Sequence, residues 1–157
     1  MIKILFVCHG NICRSPMCEF VMKDLVAQKS FSESFYIASA ATSTEEIWNG
    51  VGNPVYPSAR KKLAEYGISC GGKRAAQLQR SDYVKYDYLI GMDSANIRNM
   101  HRMLGGDPER KIFKLLSFAG SERDIADPWY TDNFDETYAD VMEGCTALLD
   151  YLVKNCI

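Results

Sequence analysis

The residues best able to do chemistry lie close together near the N-terminus. Cys8 and Arg14 are separated by five residues, and they follow a short apolar run at 3–7 that is typical of a buried strand. A helical pattern begins at Pro16. A strand–loop–helix junction gathers unpaired N–H groups at a helix N-terminus, where an anion and a cysteine thiolate are both favoured. Because a guanidinium binds an oxyanion through two parallel hydrogen bonds, the spacing indicates a sulfur nucleophile facing a bound tetrahedral oxyanion.

A second candidate for chemistry is Asp127, far along the chain. Thiolate attack on a phosphate monoester needs a general acid for the leaving group and then a base to activate water. Asp127 lies in a polar segment where Pro128 stiffens the backbone, and we expect Trp129 and Tyr130 to shield its carboxyl from water. The residues alone leave two plainer alternatives open, an inert buried Cys8 and a turn-initiating Asp-Pro.

Composition limits the classes of protein that the chain can belong to. It has 157 residues, 47% of them hydrophobic and 24% charged, which indicates one soluble globular domain spanning 1–157. The formal net charge of −2 gives no reason to expect nucleic acid or an anionic membrane as a partner. We therefore expect the anion site to be local, built by one loop and one arginine.

The cysteine content argues against a metal or a disulfide framework. The six cysteines lack the paired spacing of zinc sites, and the chain has only two histidines. We expect no metal and no cofactor. No stretch resembles a signal peptide or a membrane span, so a reducing cytoplasm is the expected location.

Hydrophobic periodicity and turn residues predict alternating strands and helices. Asp93 is expected to cap a helix that ends at a glycine pair. We expect strands at 3–7, 35–38, 86–92 and 112–116, helices at 16–29, 57–66, 94–104 and 135–155, and long loops at 42–57 and 117–134.

Strands that alternate with helices predict an α/β fold with right-handed crossovers. The expected architecture is a three-layer sandwich, a four-stranded parallel sheet flanked by helices with a flavodoxin-like, Rossmann-like topology. Sites in such sheets lie beyond the carboxyl ends of the strands. We therefore expect Cys8, Ser39, Asp93 and the 117–134 loop to converge on one edge of the sheet.

Four stretches together give a resemblance that covers the whole chain. They are the motif from Val7 to Pro16 (VCHGNICRSP), Ser39-Ala40, Met92-Asp93 and the motif from Asp127 to Tyr130 (DPWY). On these motifs the chain resembles the low-molecular-weight protein tyrosine phosphatases.

The resemblance implies a role for each motif residue. Cys8 would be the nucleophile, and Asp127 the acid that later serves as base. Ser15 would hydrogen-bond the Cys8 sulfur, while Asn11 and Ser39 would hold the loop in a strained shape. The phosphoryl oxygens would be bound by Arg14 and by a phosphate-binding loop that consists of His9, Gly10, Asn11, Ile12, Cys13 and Ser15. The implied partners are tyrosine-phosphorylated proteins, with inorganic phosphate as product and inhibitor.

Substrate choice would follow from the depth of the pocket and from one loop residue. A thiolate at the floor of an aromatic-walled pocket is reached by phosphotyrosine and small aryl phosphates but not by phosphoserine. Trp48, Trp129 and Tyr130 are the candidate walls of the rim. In the family a threonine in the place of Ile12 goes with phosphoarginine substrates, so Ile12 favours phosphotyrosine.

The family also gives Cys13 a role, as the partner of Cys8 in a reversible disulfide that protects against over-oxidation. The alternative is a small core residue. Two features depart from the family pattern. A histidine that often supports the loop is missing around Lys73, and residues 44–57 differ from the usual rim.

Three other functions remain as alternatives. A protein-arginine phosphatase would use the same chemistry. An arsenate reductase on this scaffold needs a spaced cysteine pair, where the chain offers only Cys70, and does not need Asp127 as an acid. A non-catalytic phosphate-binding module would tolerate the loss of Cys8 or Asp127, yet both are present.

Overall fold

The central strand of the fold is the apolar run that precedes Cys8. In the structure, a computed structural model that describes residues 1–157, this strand is buried on both faces. Ile4 and Phe6 point into one hydrophobic cluster, and Leu5 and Val7 point into another. The alternation follows from the two-residue period of a strand, and because both faces are covered the strand is apolar at every position from 4 to 8.

The helices and strands alternate along the chain as the sequence predicts. The strands are β1 (Ile2–Cys8), β2 (Phe35–Ala41), β3 (Ile47–Trp48), β4 (Val51–Gly52), β5 (Tyr88–Gly91) and β6 (Ile112–Lys114). The helices are α1 (Arg14–Gln28), α2 (Pro57–Glu65), α3 (Asp82–Lys85), α4 (Ser94–Leu104), α5 (Pro128–Thr131) and α6 (Phe134–Cys156).

Four of the strands form one parallel sheet in the order β2-β1-β5-β6. The larger hydrophobic cluster joins one sheet face to α1, α2 and α6, and the smaller one joins the other face to α3 and α4. The predicted three-layer α/β sandwich is therefore confirmed. The strand order reverses at β1, because β2 pairs on one side of it and β5 on the other. In such sheets the ligand crevice forms beside this reversal.

Both ends of α4 match their sequence signals. Asp93 accepts a hydrogen bond from the Asn96 N–H, and the Asn96 side chain reciprocates at the Asp93 N–H, which completes a capping box. Gly105 ends the helix in the left-handed conformation, with φ of 79°.

Several expectations need correction. The 42–57 loop contains the β3–β4 hairpin, and the 117–134 loop contains part of a 3-10 helix and α5. β6 stops at Lys114 because the chain turns into that 3-10 helix at Leu115. α1 begins at Arg14, two residues before the expected start, and its charged residue Glu19 is buried. No helix is both long and apolar enough to cross a membrane.

Candidate active site

The loop between β1 and α1 turns its carbonyl groups outward. The carbonyls of Cys8, His9 and Ile12 accept hydrogen bonds of 2.8–2.9 Å from backbone N–H groups at Thr42, Ser43 and Tyr56. A peptide C=O and the N–H of the same planar unit point in opposite directions. The N–H groups of His9, Gly10 and Cys13 are therefore directed away from these neighbours, and none of them donates within the protein. Such a set of free donors is what an oxyanion requires.

Asn11 holds the loop in a strained conformation. Its φ of 59° lies in the left-handed region, and its side chain is 1% exposed. Its N–H donates to Cys8 Sγ at 3.3 Å, and its Oδ1 accepts from the Ala76 N–H at 3.0 Å. Its Nδ2 donates to Ser15 Oγ at 2.8 Å and to Ser39 Oγ at 2.9 Å.

These bonds determine the direction of the hydroxyl proton next to the sulfur. The Ala76 N–H fixes which end of the Asn11 amide is oxygen, so both Nδ2 hydrogens go to the two serines. Ser15 Oγ thus accepts from Asn11 and keeps its own hydrogen, and Cys8 Sγ is the acceptor within reach, at 3.0 Å. Cys8 Sγ receives two hydrogen bonds, an arrangement that stabilises a thiolate.

Arg14 joins the loop to two other segments of the chain. Its side chain is 4% exposed, with Nη1 donating to the Ile125 carbonyl at 3.1 Å. Nη2 lies 3.0 Å from Asp93 Oδ2 and 3.3 Å from Asp127 Oδ2. Burial opposes the charged form, but Cys8 and the two carboxylates outweigh it, so the pKa of Arg14 is raised. The guanidinium is therefore a fixed positive charge beside the loop.

Asp127 caps the short helix α5 and faces Arg14. Its Oδ1 accepts from the Trp129 N–H at 3.0 Å, and Oδ2 is the oxygen next to Arg14. The expected shielding by aromatic neighbours is wrong, because Trp129 and Tyr130 are 80% and 85% exposed. Such exposed side chains do not exclude water from the carboxylate.

The loop, Arg14 and Asp127 line one cleft of about 540 Å³. Trp129 and Tyr130 also line it, whereas Trp48 does not: the β3–β4 hairpin leaves its side chain 83% exposed outside the cleft. The structure thus does not bring Trp48 together with the other predicted rim residues. A larger hollow of about 690 Å³ beside α6 is lined by Tyr66 and Tyr138 and holds no nucleophilic thiol or arginine. The chemistry belongs to the smaller cleft.

Cys13 is the second thiol of the cleft, and its surroundings oppose ionisation. Burial, followed by the negative charges of Cys8 and Asp127, raises the pKa of Cys13 to about 12. At neutral pH Cys13 is therefore an uncharged thiol. The two sulfurs of the loop thus differ chemically, because Cys8 Sγ accepts hydrogen bonds and Cys13 is a buried neutral thiol.

The contacts of three residues of the site were not predicted from the sequence. Asp93, expected as a helix cap at the shared edge of the sheet, also pairs with Arg14. Glu19 accepts the Ser39 hydroxyl at 2.6 Å, and Lys73 donates to the Ser39 carbonyl at 2.9 Å. Lys73, near which the family histidine is missing, therefore contacts Ser39 directly. The signal for Glu19 was its position one helical turn after Ser15.

No group of three or more His, Cys, Asp or Glu side chains is placed to hold a metal ion. The arrangement can bind a tetrahedral oxyanion, attack it with sulfur and exchange a proton at a carboxylate.

One edge of this parallel α/β sheet carries a cysteine that accepts hydrogen bonds, a buried arginine and an acidic loop residue. This combination is typical of a cysteine-dependent phosphatase. The family model described as "Low molecular weight phosphotyrosine protein phosphatase" matches residues 3–156, so the chain belongs to that family.

Similar proteins support this assignment over the full length. The low molecular weight protein-tyrosine-phosphatase YfkJ of Bacillus subtilis is 37% identical over 156 residues, covering 98% of this chain and 97% of the relative. The crystal structure of YfkJ matches with a TM-score of 0.92, covering 100% of this chain and 98% of the other. A Streptococcus pyogenes low molecular weight protein tyrosine phosphatase is 39% identical, with a TM-score of 0.84 and coverage of 100% and 95%.

A third solved structure carries a different substrate in its name. The Drosophila arginine phosphatase DARP is 26% identical, with a TM-score of 0.84 and coverage of 96% of this chain and 97% of the other. The same scaffold therefore includes proteins named for two kinds of phosphorylated residue.

Proposed function

We propose that residues 1–157 form one phosphatase domain that hydrolyses phosphotyrosine in proteins, and small aryl phosphates, through a cysteinyl-phosphate at Cys8. The observation that carries this proposal is the placement of Cys8 Sγ. It receives hydrogen bonds from Ser15 and Asn11 beside a loop of free N–H groups and the buried Arg14. Inert buried thiols do not need such an arrangement.

In the first step the Cys8 thiolate attacks phosphorus and the bond to the ester oxygen breaks. The loop N–H groups and Arg14 stabilise the three equatorial oxygens of the transition state. Asp127 gives its carboxyl proton to the leaving oxygen. The products are a phenol and a phosphorylated Cys8.

In the second step water attacks phosphorus and the S–P bond breaks. Asp127 takes a proton from the water, and the sulfur leaves as a thiolate. The Ser15 hydroxyl favours this departure, because its hydrogen bond is stronger to a charged sulfur than to a neutral one. Inorganic phosphate is the product, and it competes with substrate for the same donors.

The test is release of phosphate from p-nitrophenyl phosphate, with EDTA and a reductant present. We expect activity in the wild type, none in Cys8→Ser, and a loss of about 10²–10⁴-fold in kcat for Asp127→Ala. Arg98→Met, on the exposed side of α4, is the control and keeps wild-type activity. An active Cys8→Ser protein would contradict the thiolate mechanism.

The phosphorylated residue is tested with matched peptides. We expect higher kcat/KM for phosphotyrosine than for phosphoarginine peptides, because Ile12 lines the cleft with an apolar side chain that offers no hydrogen bond to a guanidinium. The similarity to DARP makes arginine phosphatase activity the second candidate. A higher kcat/KM for the phosphoarginine peptide would make arginine phosphatase activity the first candidate and contradict the phosphotyrosine proposal.

Two further parts of the proposal concern the setting of the enzyme. The working thiolate requires a reducing compartment, which the cytoplasm provides.

Cys13 is the proposed redox partner of Cys8. Peroxide oxidises the Cys8 thiolate to a sulfenic acid, and the Cys13 thiol displaces water from it to form a disulfide. Under this proposal Cys13→Ala regains less activity than the wild type when dithiothreitol follows peroxide.

A further inference from the structure

Ser39 is held at both of its polar ends by charged side chains. Its hydroxyl donates to Glu19 Oε1 at 2.6 Å, and its carbonyl accepts from Lys73 Nζ at 2.9 Å. Ser39 and Glu19 are 3% and 4% exposed, so water does not compete for these bonds. Their effect is to fix the position and the proton of a buried hydroxyl.

The fixed hydroxyl in turn restrains the strained residue of the phosphate loop. Because the Ser39 hydrogen goes to Glu19, its Oγ lone pairs face Asn11 Nδ2 at 2.9 Å. Asn11 carries the left-handed φ that directs its own N–H to Cys8 Sγ. We propose that Glu19 and Lys73 are a pair of positioning residues, which hold Ser39 so that Asn11 and Ser15 can hydrogen-bond the nucleophile. This inference rests on the proposed role of Cys8.

The two charges are needed together. A buried carboxylate is costly without a counter-charge, and Lys73 Nζ lies 3.7 Å from Glu19 Oε1 with its side chain 15% exposed. Lys23 binds the other oxygen of Glu19 at 2.6 Å but is 45% exposed and has no bond to Ser39. Burial lowers the pKa of Lys73, while Glu19 acts in the opposite direction. Lys73 is therefore the cation that acts together with Glu19 in holding Ser39.

Long-range electrostatics gives a different expectation for the same residues. The charged residues that line the cleft with Cys8 are Arg14, Glu45, Glu46, Asp93 and Asp127, and Glu19 and Lys73 lie behind Ser39. By charge alone, removing Glu19 favours the thiolate, removing Lys73 disfavours it, and removing both has no net effect. By positioning, all three changes weaken the hydrogen bonds to sulfur and disfavour the thiolate.

The experiment compares Glu19→Met, Lys73→Met and the double variant. Two quantities are measured: kcat on p-nitrophenyl phosphate, and the rate at which iodoacetamide alkylates Cys8 at pH 6, followed by mass spectrometry of its peptide. We expect both to fall about tenfold in each of the three variants, the effect of losing roughly one hydrogen bond. Lys73→Arg keeps a cationic donor and recovers most of the loss.

The double variant is decisive, because it leaves net charge unchanged and replaces a buried ion pair by apolar side chains, a change that proteins tolerate well. It decides the question even if a single variant fails to fold. Its control is Lys62→Met with Glu65→Met, a neutral pair on α2, which keeps wild-type values. Wild-type kcat and alkylation rate in the double variant, or faster alkylation in Glu19→Met, would overturn the proposal. A wild type without phosphatase activity would refute the proposed function instead, while alkylation still reports on Cys8.

Discussion

At the scale of single residues, Asn11 couples backbone strain to chemistry. A left-handed φ costs a residue other than glycine about 1–2 kcal/mol, and here the side-chain bonds to Ser15, Ser39 and the Ala76 N–H offset that cost. The strain is useful because the same conformation aims the Asn11 N–H at Cys8 Sγ.

Replacing Asn11 separates the two effects. We expect Asn11→Gly and Asn11→Ala both to lose most phosphatase activity, because each removes the bonds of the amide. Asn11→Ala should be less stable than Asn11→Gly by about 1 kcal/mol in urea unfolding, since only alanine pays the left-handed penalty. At the exposed Asn49, with φ of 54°, the same two changes should give the stability difference without the loss of activity. Equal stability of the two Asn11 variants would show that the left-handed conformation at this position costs no free energy of folding.

The thiol of Cys13 gives a prediction in pH. Because its pKa is raised to about 12, the neutral form persists across the range in which ordinary thiols ionise. We expect iodoacetamide at pH 9 to modify the exposed Cys156 and to leave Cys13 unmodified. In Cys8→Ser the reactivity of Cys13 should rise, since one of the negative charges that oppose its ionisation is gone. Equal labelling of Cys13 and Cys156 at pH 9 would contradict this.

At the scale of helices and strands, the parts with strong local signals were predicted correctly. The β1–loop–α1 junction and α4 follow from an apolar run, a cap and a glycine stop, all of which act over a few residues. The β3–β4 hairpin was missed although its signal is local, because Asn49-Gly50, both with positive φ, form a typical hairpin turn between Trp48 and Val51. The burial of Glu19 could not be predicted locally, because its partner Ser39 lies 20 residues away.

The long helix α6 provides a test at this scale. Gly144 lies against Leu115, and an added Cβ would meet Leu115 Cγ at 2.5 Å. Alanine normally stabilises a helix interior by about 1 kcal/mol relative to glycine. We expect Gly144→Ala to destabilise the protein by about 1–3 kcal/mol instead, because crowding in a packed core outweighs helix propensity. Thr146→Ala, on the exposed side of α6, should raise the thermal midpoint slightly; a stabilised Gly144→Ala would mean that Leu115 moves freely.

At the scale of the whole molecule, the sheet order is what assembles the site. Cys8 follows β1, Asp93 follows β5, and Asp127 comes from the segment after β6, yet Arg14 touches both carboxylates. The edge of the sheet at which they meet could be predicted, because parallel strands bring their carboxyl ends together. The pairing of Arg14 with Asp93 could not be predicted from the sequence, because it depends on the conformation that the Arg14 side chain adopts between the segments carrying Asp93 and Asp127.

Anion binding should therefore stabilise the entire fold. With inorganic phosphate about 100-fold above its Kd, we expect a gain of about 2.7 kcal/mol, seen as a rise of about 5–10 °C in Tm. In Arg14→Met the rise should disappear, whatever the starting Tm, while the exposed Arg98→Met keeps it. An undiminished rise in Arg14→Met would place the phosphate elsewhere.

The central position of β1 has a consequence for biosynthesis. The strand that carries the nucleophile is made before both of its neighbours in the sheet and before the helix α6. At about 5–20 residues per second, the end of α6 is made roughly 7–30 s after Cys8. In the finished protein the same residue is 4% exposed. Cys8 is therefore made early and covered late, and it stays an ordinary thiol in the nascent chain until the loop that supplies its hydrogen bonds has folded.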